Sequence, residues 1–147
     1  MSEPAHIRPA VLDDAPELAR LGELGYPTDA FAMRTRLEKI FAAPHHHTLV
    51  ADAGSGRLAG LCGLRLGLFY ERDTPFVQIA ALVVDSGQVR TGVGRRLVHE
   101  AERWARTRGA LDLVVTSNLR RAQAHRFYES LGYERTGYRF HKLLAAG

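Results

Sequence analysis

The sequence predicts a mixed α/β domain, and three observations predict it. Leu82 to Arg108 reads as a β-branched strand, a glycine-rich basic turn and a long amphipathic helix in direct succession. Apolar runs of strand length at 48–53, 57–68, 76–84 and 111–116 alternate with segments of helical period. Caps and turn residues mark the joints, and no repeat, linker or low-complexity tract intervenes.

Length and composition set the bounds. A chain of 147 residues is expected to form a single domain over 1–147 and can bury about two-thirds of its unfolded surface. Hydrophobic residues at 46% and charged ones at 24% are ordinary for a globular protein in water. No apolar run is long enough to cross a membrane, and the N-terminus lacks a basic-then-apolar signal segment. The single Cys62 cannot form an internal disulfide, so a cytoplasmic location is expected. It lies in the apolar run Leu58 to Leu68, which makes it core filler rather than a nucleophile.

Charge is unevenly spread. Residues 1–89 hold 8 Arg or Lys against 11 Asp or Glu, whereas residues 90–147 hold 12 against 5. The positive excess begins at the glycine turn, which favours an anionic cofactor over nucleic acid or a membrane surface. Nucleic-acid binding also lacks interleaved aromatics and a recognisable motif.

The elements follow in order. Ile7 belongs to a short first strand ending near Pro9. Asp13 and Asp14 open a helix carrying Leu18, Leu21 and Leu24, broken by Gly25-Tyr26-Pro27. Thr28 or Asp29 caps a second helix with Phe31, Leu37, Ile40 and Phe41 as its apolar members, ending before Pro44. His45-His46-His47 reads as a loop, and adjacent histidines with no acidic or Cys partner nearby make poor metal ligands. Two strands, Thr48 to Ala53 and Arg57 to Leu68, join at Gly54-Ser55-Gly56. A polar loop from Phe69 to Thr74 leads to the central strand, Phe76 to Val84. The long helix carries Leu97, Val98, Ala101, Trp104 and Ala105 on one face and ends at Gly109. Leu111 to Thr116 is a further strand, and Thr116, Ser117 or Asn118 caps a helix reaching Leu131. Gly132 stops it, and Tyr133 to Leu144 supplies two final strands.

The glycine turn carries the chemistry. A helix N-terminus offers unpaired N–H groups and the positive end of the dipole, a ready phosphate site. Gly92 and Gly94 remove side chains that would hold a ligand away from those amides. The Walker pattern fails because Gly87-x4-Gly92 is followed by Val93-Gly94 rather than Lys and Ser or Thr. The dinucleotide fingerprint fails because Leu97 stands where a small residue is needed.

The stretch Val83-Val84-Asp85 through Gly92-Val93-Gly94-Arg95-Arg96-Leu97 resembles the acyl-CoA loop of the GNAT superfamily of N-acetyltransferases. A second block, Ala124-His125-Arg126-Phe127-Tyr128-Glu129-Ser130-Leu131-Gly132-Tyr133, is similar to that family's Ala-x-x-Phe-Tyr-x-x-x-Gly-(Phe/Tyr). The opening His6-Ile7-Arg8-Pro9-Ala10 before Asp13-Asp14-Ala15 resembles the family's usual start, so the likeness spans nearly the whole chain.

The resemblance implies a mostly antiparallel sheet of about six or seven strands, splayed between the fourth and fifth, with about four helices. It implies acetyl-CoA as co-substrate, no metal, and direct transfer to the primary amine of a small molecule or peptide; relatives often form homodimers. By the match, the backbone of Leu82, Val83 and Val84 holds the pantetheine arm and polarises the thioester. Val89, Arg90, Thr91, Gly92, Val93, Gly94 and Arg95 cradle the diphosphate, and Tyr128 is the general acid; Asn118 and Arg121, ahead of the same helix, are further cofactor-binding candidates, Arg121 either contacting the adenosine or phosphate end or facing solvent. The chain departs from the family pattern at Val89, where Gln or Arg is usual, with Gln88 and Arg90 flanking it. It departs again at Arg121, where many relatives carry Asn, and at Ala80, where many carry a Glu base. Glu71, Asp73, the His45–His47 group or solvent remain as routes for the amine's proton. Ala80 and Val89 keep a second reading open, a CoA-binding sensor or interaction module without catalysis.

Overall fold

An antiparallel hairpin forms the middle of the protein. Strand β2 (His46–Gly54) turns through Ser55 and Gly56 into β3 (Arg57–Gly67), and β1 (His6–Pro9) adds to the free edge of β2. Strand β4 (Phe76–Val84) pairs antiparallel with β3, and β5 (Asp112–Val115) pairs parallel with β4. The five strands therefore lie in chain order across one sheet. The helices are α1 (Ala15–Leu21), α2 (Ala30–Ala42), α3 (Val93–Thr107) and α4 (Ala122–Ser130). This is a computed structural model that describes residues 4–21, 28–88, 91–116 and 122–145. The chain divides into two compact units, Met1–Val115 and Thr116–Gly147.

In the first unit, α1 and α2 bury Ala15, Leu18, Leu21, Met33 and Leu37 against Val50, Leu58, Leu61 and Val83. Helix α3 packs on β2, β3 and β4 through Leu97, Val98 and Ala101, all fully buried. Strand β3, in contact with α1 and with α3, is apolar almost throughout because helices contact the sheet from both sides. Gly60 lets α3 approach: a Cβ there would meet the Val83 carbonyl oxygen at 2.9 Å and Leu97 Cδ1 at 3.0 Å.

Two ionic clusters tie the helices to the sheet. Arg8 grips both carboxylate oxygens of Asp14 at 2.8 and 2.9 Å and donates to Asp52 at 3.1 Å. Burial alone would raise the Asp14 pKa, but Arg8 and the Val11 N–H outweigh it and hold it below the usual carboxylate range. In α1, Glu17 accepts from the Leu58 N–H at 2.9 Å and Arg20 donates to the Leu58 carbonyl at 3.0 Å. Both polar backbone groups of Leu58 are thus satisfied beside the irregular pairing of Asp52 with Leu58 and Gly54 with Arg57.

Several expectations need correction. Five strands are present among the described residues, not six or seven, because residues 133–145 pair with no other strand. Their alternating Tyr, Phe and Leu are a local preference, and a strand also needs a partner for its ladder. Tyr138 and Phe140 are accordingly exposed. His46 and His47 are not loop residues: pairing with Arg65 and Leu64 draws them into β2. Phe31, six residues before Leu37, falls on the opposite side and is 82% exposed, whereas Met33, four before it, takes the inner face of α2 with Leu37. Asp14 folds back onto Arg8 and Val11 rather than capping α1, whereas Asp29 caps α2 by accepting from the Ala32 N–H at 2.7 Å. Leu24 and the Gly25–Pro27 break lie outside the described residues.

Candidate active site

The site begins where the β4 ladder becomes irregular. Gly63 pairs with Ala81 but Leu64 pairs with Ile79, so Ala80 is an extra residue bulged out of β4. A bulge bends a strand and increases its twist. The pairing of β5 stops at the same place: Phe76 to Ile79 face Asp112 to Val115, and Ala80 to Val84 run on past the end of β5. Among the described residues the pairing of the fourth and fifth strands thus ends at the bulge, where a splay was expected. Leu82, Val83 and Val84 keep their ladder to Cys62, Leu61 and Gly60 on the other side. The Val83 side chain joins the core beneath α1 and α2. Side chains anchor the strand, and among the described residues no strand pairs with its edge beyond β5.

After Val84 the chain is pinned. The Asp85 N–H donates to the Ala59 carbonyl at 2.8 Å, and its carboxylate lies 3.5 Å from Arg20 and 3.6 Å from Arg57. Gln88 donates its N–H to the Asp85 carbonyl, and the Thr91 hydroxyl donates to the Gln88 carbonyl at 2.6 Å. Gly92 then takes a left-handed conformation at φ 89°, favoured by glycine, as the N-cap of α3. Having no side chain, it caps nothing. The first hydrogen bond of α3 runs from the Arg96 N–H to the Gly92 carbonyl at 3.0 Å. Among the described residues the N–H groups of Val93, Gly94 and Arg95 have no backbone acceptor, and the first turn holds no acid. Open amides, a positive dipole end and glycine at the approach fit a diphosphate.

Thr91, Gly92, Val93, Gly94 and Arg95 are thus gathered at one turn, directly after Leu82–Val84. Val93 is buried, facing Gly60, so it contributes main chain only; Arg95 is exposed. Val89, Arg90, Asn118 and Arg121 lie outside the described residues.

In the second unit, α4 ends in a paired cap around Gly132 at φ 92°. The Gly132 N–H reaches the Glu129 carbonyl and the Tyr133 N–H reaches the Tyr128 carbonyl, each at 3.0 Å. The half-buried Tyr128 ring meets Phe127 and Tyr133 edge to face. The Tyr–Gly–Tyr spacing of the second block is this cap.

Other candidates are placed too. Cys62 is fully buried, and burial pushes its thiol up to about 12, so it cannot serve as an acyl-accepting thiolate near neutral pH. Glu71 and Asp73 are exposed in the loop before β4, and the extra residue of the bulge is Ala80. His47 stacks on Trp104 with ring centroids 5.0 Å apart. Burial, helped by Arg108, holds its pKa below the ordinary imidazole value. The bulge and the stack were invisible in the sequence; a register shift and a contact between distant segments leave no local signal.

The Acetyltransferase (GNAT) family matches residues 13–133, a span from the Arg8–Asp14 region through the glycine turn to Tyr133. The chain belongs to this family. Acetyl-CoA-dependent N-acetyl transfer is the family's chemistry. Aminoglycoside N(6')-acetyltransferase type 1 of Stenotrophomonas maltophilia is 29% identical over 133 residues, covering 88% of this chain and 86% of that protein. Aminoalkylphosphonate N-acetyltransferase of Salmonella typhimurium is 31% identical over 90 residues, 61% of this chain. The match spans 58% of that relative's length. The crystal structure of a GNAT family acetyltransferase from Staphylococcus aureus superposes with a TM-score of 0.80 at 25% identity, covering 97% of this chain and 100% of that one. The family's N-acetyltransferase fold is thus matched over nearly the whole chain.

Proposed function

We propose that the protein transfers an acetyl group from acetyl-CoA to the primary amine of a small molecule, by direct attack of the amine on the thioester. The observation that carries this reading is a β4 that runs on past its pairing with β5 from Ala80, followed by an α3 N-terminus whose first three amides have no backbone acceptor among the described residues. Acetyl-CoA supplies the activated acyl group. Val93, Gly94 and Arg95 would hold its diphosphate through main-chain N–H groups. The backbone of Leu82 to Val84 would align the pantetheine arm and polarise the carbonyl, and fixed dipoles need no reorganisation as charge develops. The amine forms the new C–N bond, the C–S bond breaks, and the thiolate takes a proton from the Tyr128 hydroxyl. With reference pKa values of about 8.5 for a thiol and 10 for tyrosine, that transfer is uphill by about 2 kcal/mol, tolerable when coupled to collapse of the intermediate. The ammonium proton leaves to solvent, since Ala80 offers no base.

Relatives that acetylate aminoglycosides and aminoalkylphosphonates support a small-molecule acceptor over a peptide. The family match runs across both compact units, which supports reading 1–147 as one functional domain. The test is thiol release from acetyl-CoA over a panel of aminoglycosides, aminoalkylphosphonates, polyamines and peptides, beside calorimetric binding of acetyl-CoA alone. Binding with turnover is expected. Ala80 at the bulge favours one second reading, a CoA-binding sensor, which predicts binding and no turnover on any amine. Absence of binding overturns both.

A further inference from the structure

Helix α3 carries more charge than the glycine turn uses. Arg96, His99, Glu100 and Arg103 follow at i, i+3, i+4 and i+7, so they form one stripe along the helix, beside the buried face of Leu97, Val98 and Ala101. Gly94, Val98 and Glu102 run along a different flank by the same period. Strand β1 lies against the charged stripe, and the two elements border an open groove of about 510 Å³ lined by His6, Ile7, Arg96, His99, Glu100 and Arg103.

The lining has one chemical character. Two guanidinium groups and two imidazoles converge on it, against a single carboxylate. That carboxylate is already engaged, since Glu100 accepts from Arg103 at 3.1 Å. Among the described residues Arg96 has no acidic partner, and neither has His99. On the β1 side, His6 stands opposite Asp52 in the ladder, but Asp52 is held by Arg8 and the Gly54 N–H. Among the described residues the lining therefore holds one paired guanidinium, Arg103, and two basic side chains without an acidic partner, Arg96 and His99.

We infer that the groove between β1 and α3 binds a small phosphorylated molecule, at a second anion site separate from the glycine turn. Guanidinium forks match phosphoryl oxygens two at a time, and imidazole N–H groups add further donors. Arg96 and Arg103 are seven residues apart, about 10 Å along the helix, a span suited to two phosphoryl groups or to one phosphate and a second polar end. The volume suits a small ligand rather than a nucleic-acid strand, and Ile7 is the one apolar side chain among the lining residues. Arg103 lies beyond Arg96 as seen from Gly92, so a ligand held by both is not the diphosphate seated on the first turn.

The test uses the full chain in low-salt buffer with pyrophosphate as probe, titrated by calorimetry with and without saturating acetyl-CoA. Pyrophosphate binding is expected to persist under saturating acetyl-CoA. Arg103→Gln should weaken it at least fivefold while acetyl-CoA affinity stays within twofold. Arg106→Gln, on the same helix but outside the groove, should leave it unchanged, and the His99 imidazole resonances should move on titration. Equal weakening by Arg103→Gln and Arg106→Gln, loss of pyrophosphate binding once acetyl-CoA is bound, or no binding at all would each overturn the inference. The inference stands apart from acetyl transfer: a protein that failed to bind acetyl-CoA would still report on the groove through Arg103→Gln and His99.

Discussion

Tyr133 donates its backbone N–H to the carbonyl of Tyr128 at 3.0 Å, and the two rings meet edge to face with centroids 5.9 Å apart. This pairs a helix cap with its hydrophobic contact, so the residue proposed as general acid is held by the stop signal of its own helix. Tyr128→Phe keeps the ring, its edge-to-face contacts with Phe127 and Tyr133, and the cap. Turnover should fall by about 10² or more, the usual size of a general-acid effect, with acetyl-CoA affinity within twofold. Steady-state kinetics beside calorimetry decides it; unchanged turnover removes Tyr128 from the mechanism.

Gly92 sits at φ 89° with open space where a Cβ would go, so its constraint is conformational rather than steric. Gly92→Ala should cost about 1–2 kcal/mol through the left-handed conformation alone. Relief of that strain would tilt the first amides of α3, so acetyl-CoA binding should weaken about tenfold. Urea unfolding and calorimetry read the two effects separately.

Gly60 is the opposite case. Its φ is ordinary, but a Cβ would press on the Val83 carbonyl and Leu97. Gly60→Ala should destabilise by about 1–3 kcal/mol, the range for overpacking, and push α3 off β3. A urea midpoint equal to wild type would show that α3 can shift at no cost.

His47 links stability to pH. Its folded pKa is depressed by burial and Arg108, so on acidification the unfolded chain takes the proton first. Stability is full above about 6.5, the unfolded value, and declines as pH falls from there toward the lower folded value. Replacement by glutamine removes this dependence, at most about 1.4 kcal/mol per pH unit. Urea midpoints of wild type and His47→Gln at pH 7.5 and 5.5 should converge at the lower pH, and parallel declines would contradict the assignment.

Cys62, fully buried opposite Leu82 in the ladder, should be inert in the folded protein. Thiol reagents should modify it only on unfolding, and Cys62→Ala should retain turnover with no acyl-enzyme detectable by intact mass. A trapped acetyl group on Cys62 would replace direct transfer with a two-step route.

Much of the fold was legible because its signals are local. Asp29 at the start of α2, Gly109 after α3 and Gly132 after α4 each satisfy backbone groups within about five residues, and a linear pattern encodes that directly. The same holds for Leu82 to Gly94, where strand, left-handed glycine and helix follow without a break. The resemblance placed the candidate residues along the chain; it could not say which of them would share a surface.

What only the tertiary structure decided depends on partners far away in sequence. The bulge at Ala80 exists because β3 and β4 slip register between Gly63 and Leu64. The end of β5 at Val115 determines how much of β4 stays open. Tyr133 to Leu144 has the composition of strands, yet without a ladder partner composition is not enough. His47 became a strand residue through Leu64 and a stacking residue through Trp104, and the basic groove arose only when β1 was laid against α3. By itself the sequence determined the four helices, the first five strands, the caps at Asp29, Gly109 and Gly132 and the family resemblance, because backbone hydrogen bonding over a few residues is a local property. The tertiary structure decided where the β4–β5 pairing ends and which charged side chains share a groove, because pairing and burial are made between segments that no local pattern relates.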